Sequence, residues 1–310
     1  MKAVVAAKFG PPEILRVREI PRPNPKDNEI LVRIHAGTVT KGDLLMRGAG
    51  PGLRFLMLIL GFKRKEITGH ELAGEVEAVG KDVEKFKKGD RVFGTTTGLN
   101  SGGNAEYVCL PEEWKQGVVA IKPGNMTYEE AAAVPVGGMT ALYLLKKINV
   151  QKGQKVLVYG ASGSVGTYAL QLTKSFGAEV TGVCSATNVQ MVKSLGADKV
   201  IDYKKEDFTK NGETYDVIFD AVGKISRTHS KRSLKKNGRY ISIRSLTKET
   251  TENLIFLRDL IEAGKLKAAI DRRYPMEQIV EAHKYVETGH KKGNVVITVK
   301  PNNESFKGGA

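Results

Sequence analysis

The spacing of hydrophobic positions changes partway along the chain. Up to about residue 122, apolar residues alternate with polar ones in short runs broken by Gly and Pro, the period-two pattern of half-buried strands. Lys2–Lys8 and Leu15–Glu19 read as strands around the turn Phe9-Gly10-Pro11-Pro12, and Ile30–Ala36 (I-L-V-R-I-H-A) as a third. Gly42, Asp43 and the L-L-M-R that follows predict a short helix. L-A-G-E-V-E-A-V-G, Arg91-Val92-Phe93 and A-E-Y-V-C-L predict further strands. From about Lys122, β-rich runs alternate with helical spacing. Thr127 caps a helix with Glu129 and Glu130 in its first turn, and the next helix is expected near Gly138. Strands are expected at Val156–Tyr159, Glu179–Cys184, Lys199–Tyr203, Tyr215–Ala221 and Arg239–Ile243, with helices between them. That succession predicts parallel βαβ units. An amphipathic helix over Glu252–Gly264, a strand at Leu266–Ile270, a helix near Met276–Thr288 and a last strand N-V-V-I-T-V complete the pattern. The tail Pro301–Ala310 reads as disordered.

The chain is organised around V-L-V-Y-G-A-S-G-S-V-G, residues 156–166. A short apolar strand, a turn of small residues and a helix follow one another directly. Such a turn exposes backbone N–H groups at a helix N-terminus, where a pyrophosphate can sit. Ala161 stands at the first position of G-x-G-x-x-G; Gly163 allows close approach of a dinucleotide, and Gly166 close packing of helix on strand.

Composition adds limits. The 310 residues leave room for two domains, and two distant cysteines, Cys109 and Cys184, form no disulfide or metal framework. With no signal-peptide pattern at the N-terminus, the expected compartment is the cytoplasm. The longest apolar run, Phe55–Leu60, is too short to span a bilayer. Phe55–Phe62, followed by Lys63, Arg64 and Lys65, is read as slot lining or packing, with membrane contact the lesser reading. The net charge of +15 is spread among interleaved acids, with clusters at Lys63–Lys65, Lys231–Lys236 and Lys291–Lys292. No cluster is interleaved with aromatics, so a solvated surface is favoured over a nucleic-acid partner.

The order of several motifs resembles the medium-chain dehydrogenase/reductase superfamily, most closely its zinc-independent quinone oxidoreductase branch. They are G-H-E-L-A-G-E-V-E-A-V-G (69–80), K-G-D-R-V-F-G (88–94), A-A-A-V-P-V-G-G-M-T-A-L (131–142), the glycine corner, L-G-A-D-K-V-I-D-Y (195–203), Y-D-V-I-F-D-A-V-G (215–223) and G-N-V-V-I (293–297). The resemblance implies an α/β fold: a Rossmann doubly wound parallel sheet over 123–263, beside a GroES-like β-rich catalytic domain over 1–122 completed by 264–300. By motif position, Thr40, His70 and Val136 stand where zinc relatives place a Cys, a His and a second Cys. One imidazole does not hold a catalytic zinc, so no metal is expected.

The resemblance also implies the remaining sites. Without a Lewis acid, a quinone or a conjugated enal or enone is the expected small-molecule acceptor of a hydride from NADPH. Thr40, Asp43 and His70 are either a proton relay or a pair that shapes the loop. Thr140 is expected near the nicotinamide, and Gly160, Ser162, Gly163, Ser164, Val165 and Gly166 around the pyrophosphate. Val222 and Gly223 are expected on the adenosine side, with Gly293 and Asn294 approaching the nicotinamide half. The end of the second Rossmann strand, G-V-C-S-A-T-N, carries no carboxylate. Ser185, Thr187, Asn188 and Tyr203 therefore face a 2′-phosphate without repulsion, which favours NADPH over NADH. Alternatives are an alcohol dehydrogenase on the same scaffold, or a non-enzymatic NADPH- or RNA-binding protein. The stretch between Ile243 and Leu254 is too short for a sixth Rossmann strand, which predicts a monomer or an unusual homodimer.

Overall fold

The computed structural model of the chain describes residues 1–50, 52, 59, 66–99 and 102–299. Apart from Ile59, the hydrophobic segment Phe55–Phe62, with its basic flank and the tail 301–310, lies outside them. In chain order, β1 (Lys2–Ala6) and β2 (Leu15–Glu19) form an antiparallel pair. β3 (Glu29–Thr38) is the axis of a seven-stranded sheet. One of its edges takes β4 (Glu71–Val79), which pairs with β5 (Arg91–Thr95) and through it with β7 (Val119–Ile121). The other edge is shared: β6 (Tyr107–Pro111) pairs with Glu29–Arg33, and β14 (Asn294–Thr298) with Ala36–Thr38. β13 (Ile270–Pro275) lies outside β14. The last segment of the chain thus completes a sheet built mainly from the first third.

Helix α1 (Lys41–Arg47) leaves β3 through a capping box: Thr40 Oγ1 accepts from Asp43 N, and the Asp43 carboxylate accepts from Thr40 N. α2 (Tyr128–Ala132) begins with the same device on Thr127 and Glu130. α3 (Pro135–Lys147) follows almost at once. Its helix starts three residues before the expected Gly138, because Pro at a first helical position has its φ already set.

The second sheet is parallel, with strand order β10 (Lys199–Asp202), β9 (Glu179–Cys184), β8 (Lys155–Tyr159), β11 (Tyr215–Asp220) and β12 (Leu234–Ser242). Its helices are α4 (Ser164–Ser175), α5 (Val189–Ser194), the short α6 (Arg227–Ser230) and α7 (Thr251–Glu262). Val156, Leu157 and Val158 of β8 are fully buried, each burial worth roughly 1.5–3 kcal/mol. One apolar cluster joins this sheet, α3, α4 and α7 to Ala36, Ala73 and Phe93 of the other sheet, through Ala131 and Ala132 of α2.

Two expectations are corrected. β12 starts at Leu234, five residues before Arg239, because Leu234 already pairs with Tyr215 in a stretch with a register shift. The strand expected at Leu266–Ile270 is displaced: β13 begins at Ile270, while Leu266 is packed into the cluster around the parallel sheet. The short segment between β12 and α7 contains no strand, so this sheet ends at β12. α8 (Ile279–Glu287) packs its apolar face on Val295 and Ile297 of β14 and on Leu15 of β2.

Candidate active site

The expected dinucleotide residues collect at the carboxyl ends of the parallel strands. After β8 the chain turns at Gly160 (φ +80°), a left-handed position that glycine adopts without strain. A Cβ there would also meet Val222 at 2.8 Å. Gly163 caps α4, and a Cβ added to it would find its nearest neighbour 3.6 Å away. At Gly166 the same atom would lie 2.1 Å from the Gly160 carbonyl oxygen. Gly163 therefore leaves room for a ligand, and Gly166 lets α4 lie against the turn. Ser162, Ser164 and Val165 are half-buried around this corner, and Thr140 is half-buried on α3.

Beyond β9, Ser185 and Thr187 share a hydrogen bond (3.1 Å), and Asn188 Nδ2 donates to Ser162 Oγ (3.0 Å). The loop after the second strand is thus tied to the glycine corner. Asp202, opposite Cys184 on β10, accepts from Lys204 N. Tyr203 is exposed beside it. Val222 and Gly223 are held by Asp220, whose Oδ1 accepts from both backbone N–H groups (3.0 and 2.8 Å). Gly293 N donates to Ser162 O (2.8 Å), and Gly293 forms a parallel bridge with Gly163. Asn294 is buried, its amide donating to Ala269 O (3.1 Å). Of this final pair, the Gly293 backbone lies at the corner and the Asn294 side chain serves the fold.

Thr40, Asp43 and His70 come together. Thr40 Oγ1 donates to Asp43 Oδ2 (2.6 Å), and Asp43 Oδ1 lies 2.6 Å from His70 Nδ1. Burial opposes the Asp43 charge, yet the His70 ring and the Thr40 hydrogen bonds hold its carboxyl well below the usual carboxylate range. An ionised Asp43 accepts, so Nδ1 carries the proton and Nε2 is left for other chemistry. His70 and Asp43 line a cavity of about 40 Å³ with Phe9, Met46 and Arg47.

Two groups join the site that the sequence reading left out. Glu71, next to His70, is buried. It accepts from Thr38 Oγ1 and, at 2.7 Å, from Val136 N. Burial pushes its carboxyl up to about 7. Lys291 donates to Gly293 O (2.6 Å). Burial pulls its ammonium down to about 8, with Glu71 opposing that shift. Glu71 stood in the G-H-E motif, so its signal was visible. Lys291 lay in a cluster read as solvated, and only tertiary folding turns it inward.

The residues fit a nicotinamide dinucleotide: the space at Gly163 and the N-terminus of α4 form the cradle. They do not fit a three-ligand zinc site. Of Thr40, His70 and Val136, only His70 offers a ring nitrogen, and Val136 N is spent on Glu71. Among the described residues, no group of three or more His, Cys, Asp or Glu is placed to share a metal ion. No helix among them is long and apolar enough to cross a membrane.

Residues 26–123 match the family described as "Alcohol dehydrogenase GroES-like domain". Residues 164–269 and 243–297 each match a family described as "Zinc-binding dehydrogenase". The chloroplast envelope quinone oxidoreductase homolog of Arabidopsis thaliana is 31% identical over 312 residues, covering 90% of this chain and 92% of the relative. The 2-methylene-furan-3-one reductase of Solanum lycopersicum is 32% identical over 323 residues, covering 96% and 79%. The solved quinone oxidoreductase from Coxiella burnetii shares the fold with a TM-score of 0.85 at 29% identity, covering 97% of this chain and 99% of that one. Sequence and fold agree over both halves of the chain, which belongs to the medium-chain dehydrogenase/reductase superfamily, in its quinone oxidoreductase branch.

Proposed function

We propose that the protein is an oxidoreductase that reduces a quinone or a conjugated enal or enone with NADPH, without zinc. The observation that carries this reading is the pairing of a glycine corner open at Gly163 with a donor set, Thr40, His70 and Val136, unsuited to zinc. The names of relatives agree with it: two are quinone oxidoreductases, and a 2-methylene-furan-3-one is itself a conjugated enone. A bound reduced nicotinamide supplies the hydride. Without a Lewis acid the acceptor must delocalise the incoming charge itself, as quinones and enones do.

The chain's own residues do the rest. Gly160–Gly166 and the N-terminus of α4 hold the pyrophosphate. Ser185 and Thr187 face the 2′-phosphate; residues 184–190 contain no carboxylate to repel it. Asp43 holds the Nδ1–H of His70, and Nε2 relays a proton to the oxyanion that forms on the acceptor. Phe9 and Met46 exclude water beside it. The residue spans 1–122, 123–263 and 264–300 serve as catalytic domain, cofactor domain and return. Cys109 and Cys184 are unpaired, and burial pushes both thiols up to about 11, in keeping with a cytoplasmic, reducing setting and no thiol chemistry.

The test is an acceptor panel with both reduced cofactors. NADPH oxidation is expected with 9,10-phenanthrenequinone and with a short alkenal, and slower turnover with NADH. A preference for NADH overturns the cofactor assignment; oxidation of saturated alcohols alone overturns the acceptor class. His70→Ala should lower kcat roughly 100-fold while leaving the NADPH Kd in place. An unchanged kcat removes His70 from the chemistry.

A further inference from the structure

Lys291 is an ionisable group of the cleft that the proposed chemistry leaves unused. It lies in the segment 288–293 between α8 and β14. Its neighbour Lys292 is exposed. The Lys291 side chain instead turns inward and donates to Gly293 O (2.6 Å). Gly293 is the residue that bridges Gly163, with its own N–H on Ser162 O. The ammonium is therefore one hydrogen bond from the backbone that meets the glycine corner.

This cation has no counter-charge. Among the described residues, no carboxylate lies within ion-pair distance of Lys291 Nζ. Three charged groups face it, each from a different element. Glu71, on β4, is engaged by Thr38 Oγ1 and Val136 N. Asp271, on β13, accepts from Tyr285 OH (2.6 Å) and Lys292 N (2.8 Å). Lys41, the first residue of α1, repels it. The glycine corner, residues 160–166, carries no charged side chain. Burial outweighs the two acids and pulls the ammonium down to about 8. An uncompensated cation beside an anion cradle is one half of an ion pair. The N-terminus of α4 offers N–H groups to a phosphate. A bridge of two phosphates has further oxygens for a cation from the facing sheet.

We propose that Lys291 is the cation that meets the phosphate bridge of the bound dinucleotide, and that cofactor binding draws a proton onto it. This rests on the nicotinamide-dinucleotide reading of the glycine corner and adds a proton-coupled step to cofactor loading. The anion favours the charged lysine, so the bound form stays protonated at a pH where the free form is half neutral. Affinity should then fall as pH rises through 8.

Isothermal titration of the full-length protein with NADPH, in two buffers of different ionisation enthalpy, counts the protons taken up. The parent protein should take up about half a proton per NADPH at pH 8, and its Kd should rise roughly tenfold from pH 7 to pH 9. Lys291→Met should bind NADPH and NADH roughly tenfold more weakly at pH 7, by the same factor, and should lose the uptake. Lys291→Arg, charged at every pH used, should keep the parent Kd at pH 7 within about threefold, lose the uptake and flatten the pH dependence. The proposal fails if Lys291→Met keeps its affinity or if either variant keeps the uptake. It fails if the loss is confined to NADPH, because Lys291 then meets the 2′-phosphate. It fails if Lys291→Arg is as weak as Lys291→Met, because the lysine then serves the fold. In each of these cases the cofactor reading stands. If neither nucleotide binds the parent protein, the cofactor reading falls and the proposal with it.

Discussion

At the scale of single residues, the site was legible where a side chain's role depends on its near neighbours in sequence. Thr40 and Asp43 are three residues apart and find each other through a helix cap. His70 joins them because β4 returns beside β3. Glu71 stood in a visible motif but its burial did not show, and Lys291 was not legible at all, since the burial of both is set by elements far apart in the chain. Glu71 gives a prediction with a defined sign. Its carboxyl is raised from 4.5 to about 7 in the folded protein, so between those values the folded state holds a proton that the unfolded state has released. Stability from this group therefore falls as pH rises from 4.5 to 7, by up to about 3 kcal/mol. Glu71→Gln should flatten that part of the profile. The check is the urea midpoint of both proteins at pH 5 and pH 8; parallel profiles would remove Glu71 as the source.

At the scale of elements, the strand–turn–helix at β8 and α4 was the clearest feature of the sequence, because small residues after an apolar run have few other uses. The two glycines of its turn should respond differently to the same added methyl. Gly166→Ala drives a Cβ to within 2.1 Å of the Gly160 carbonyl oxygen, and overpacking of this kind costs about 2–3 kcal/mol. Gly163→Ala meets nothing closer than 3.6 Å and has φ −83°, so the Tm should stay within about 3 °C. NADPH should then bind roughly tenfold more weakly, because the methyl occupies the pyrophosphate's approach. Thermal melts and fluorescence titration of the two variants separate these effects. Element boundaries were less legible than element types. Leu266 has the composition of a strand residue, yet it fills the core beside α4 and α7, and packing decided its conformation.

At the scale of the whole molecule, the order of strands was read through motif order and family resemblance, since periodicity says nothing about which strands lie side by side. The loss of a sixth strand was visible as a short stretch before α7. Its effect on the surface needed the structure: β12 ends the sheet, and its edge carries Lys235, Lys236 and Arg239. Lys235 is paired with Asp216 (2.7 Å) and Arg239 donates to Asn149 O (3.1 Å); Lys236 and Arg239 are the charges that guard the edge against pairing with other chains. Replacing both by Val should produce concentration-dependent association in sedimentation velocity, where the parent protein should keep a constant coefficient over the same range. The short segment also carries Glu249 across to the other sheet, where it accepts from Thr95 and Thr97 (2.5 and 3.1 Å). The bridge between Gly163 and Gly293 has a consequence for biosynthesis. The Gly163 side of this bridge is translated 130 residues before the Gly293 side, so on the proposed function a nascent chain leaving the ribosome carries an unfinished nucleotide seat until its last strand emerges. Ribosome-stalled chains that end short of β14 should not be retained on a nucleotide-affinity resin, whereas released full-length chains should.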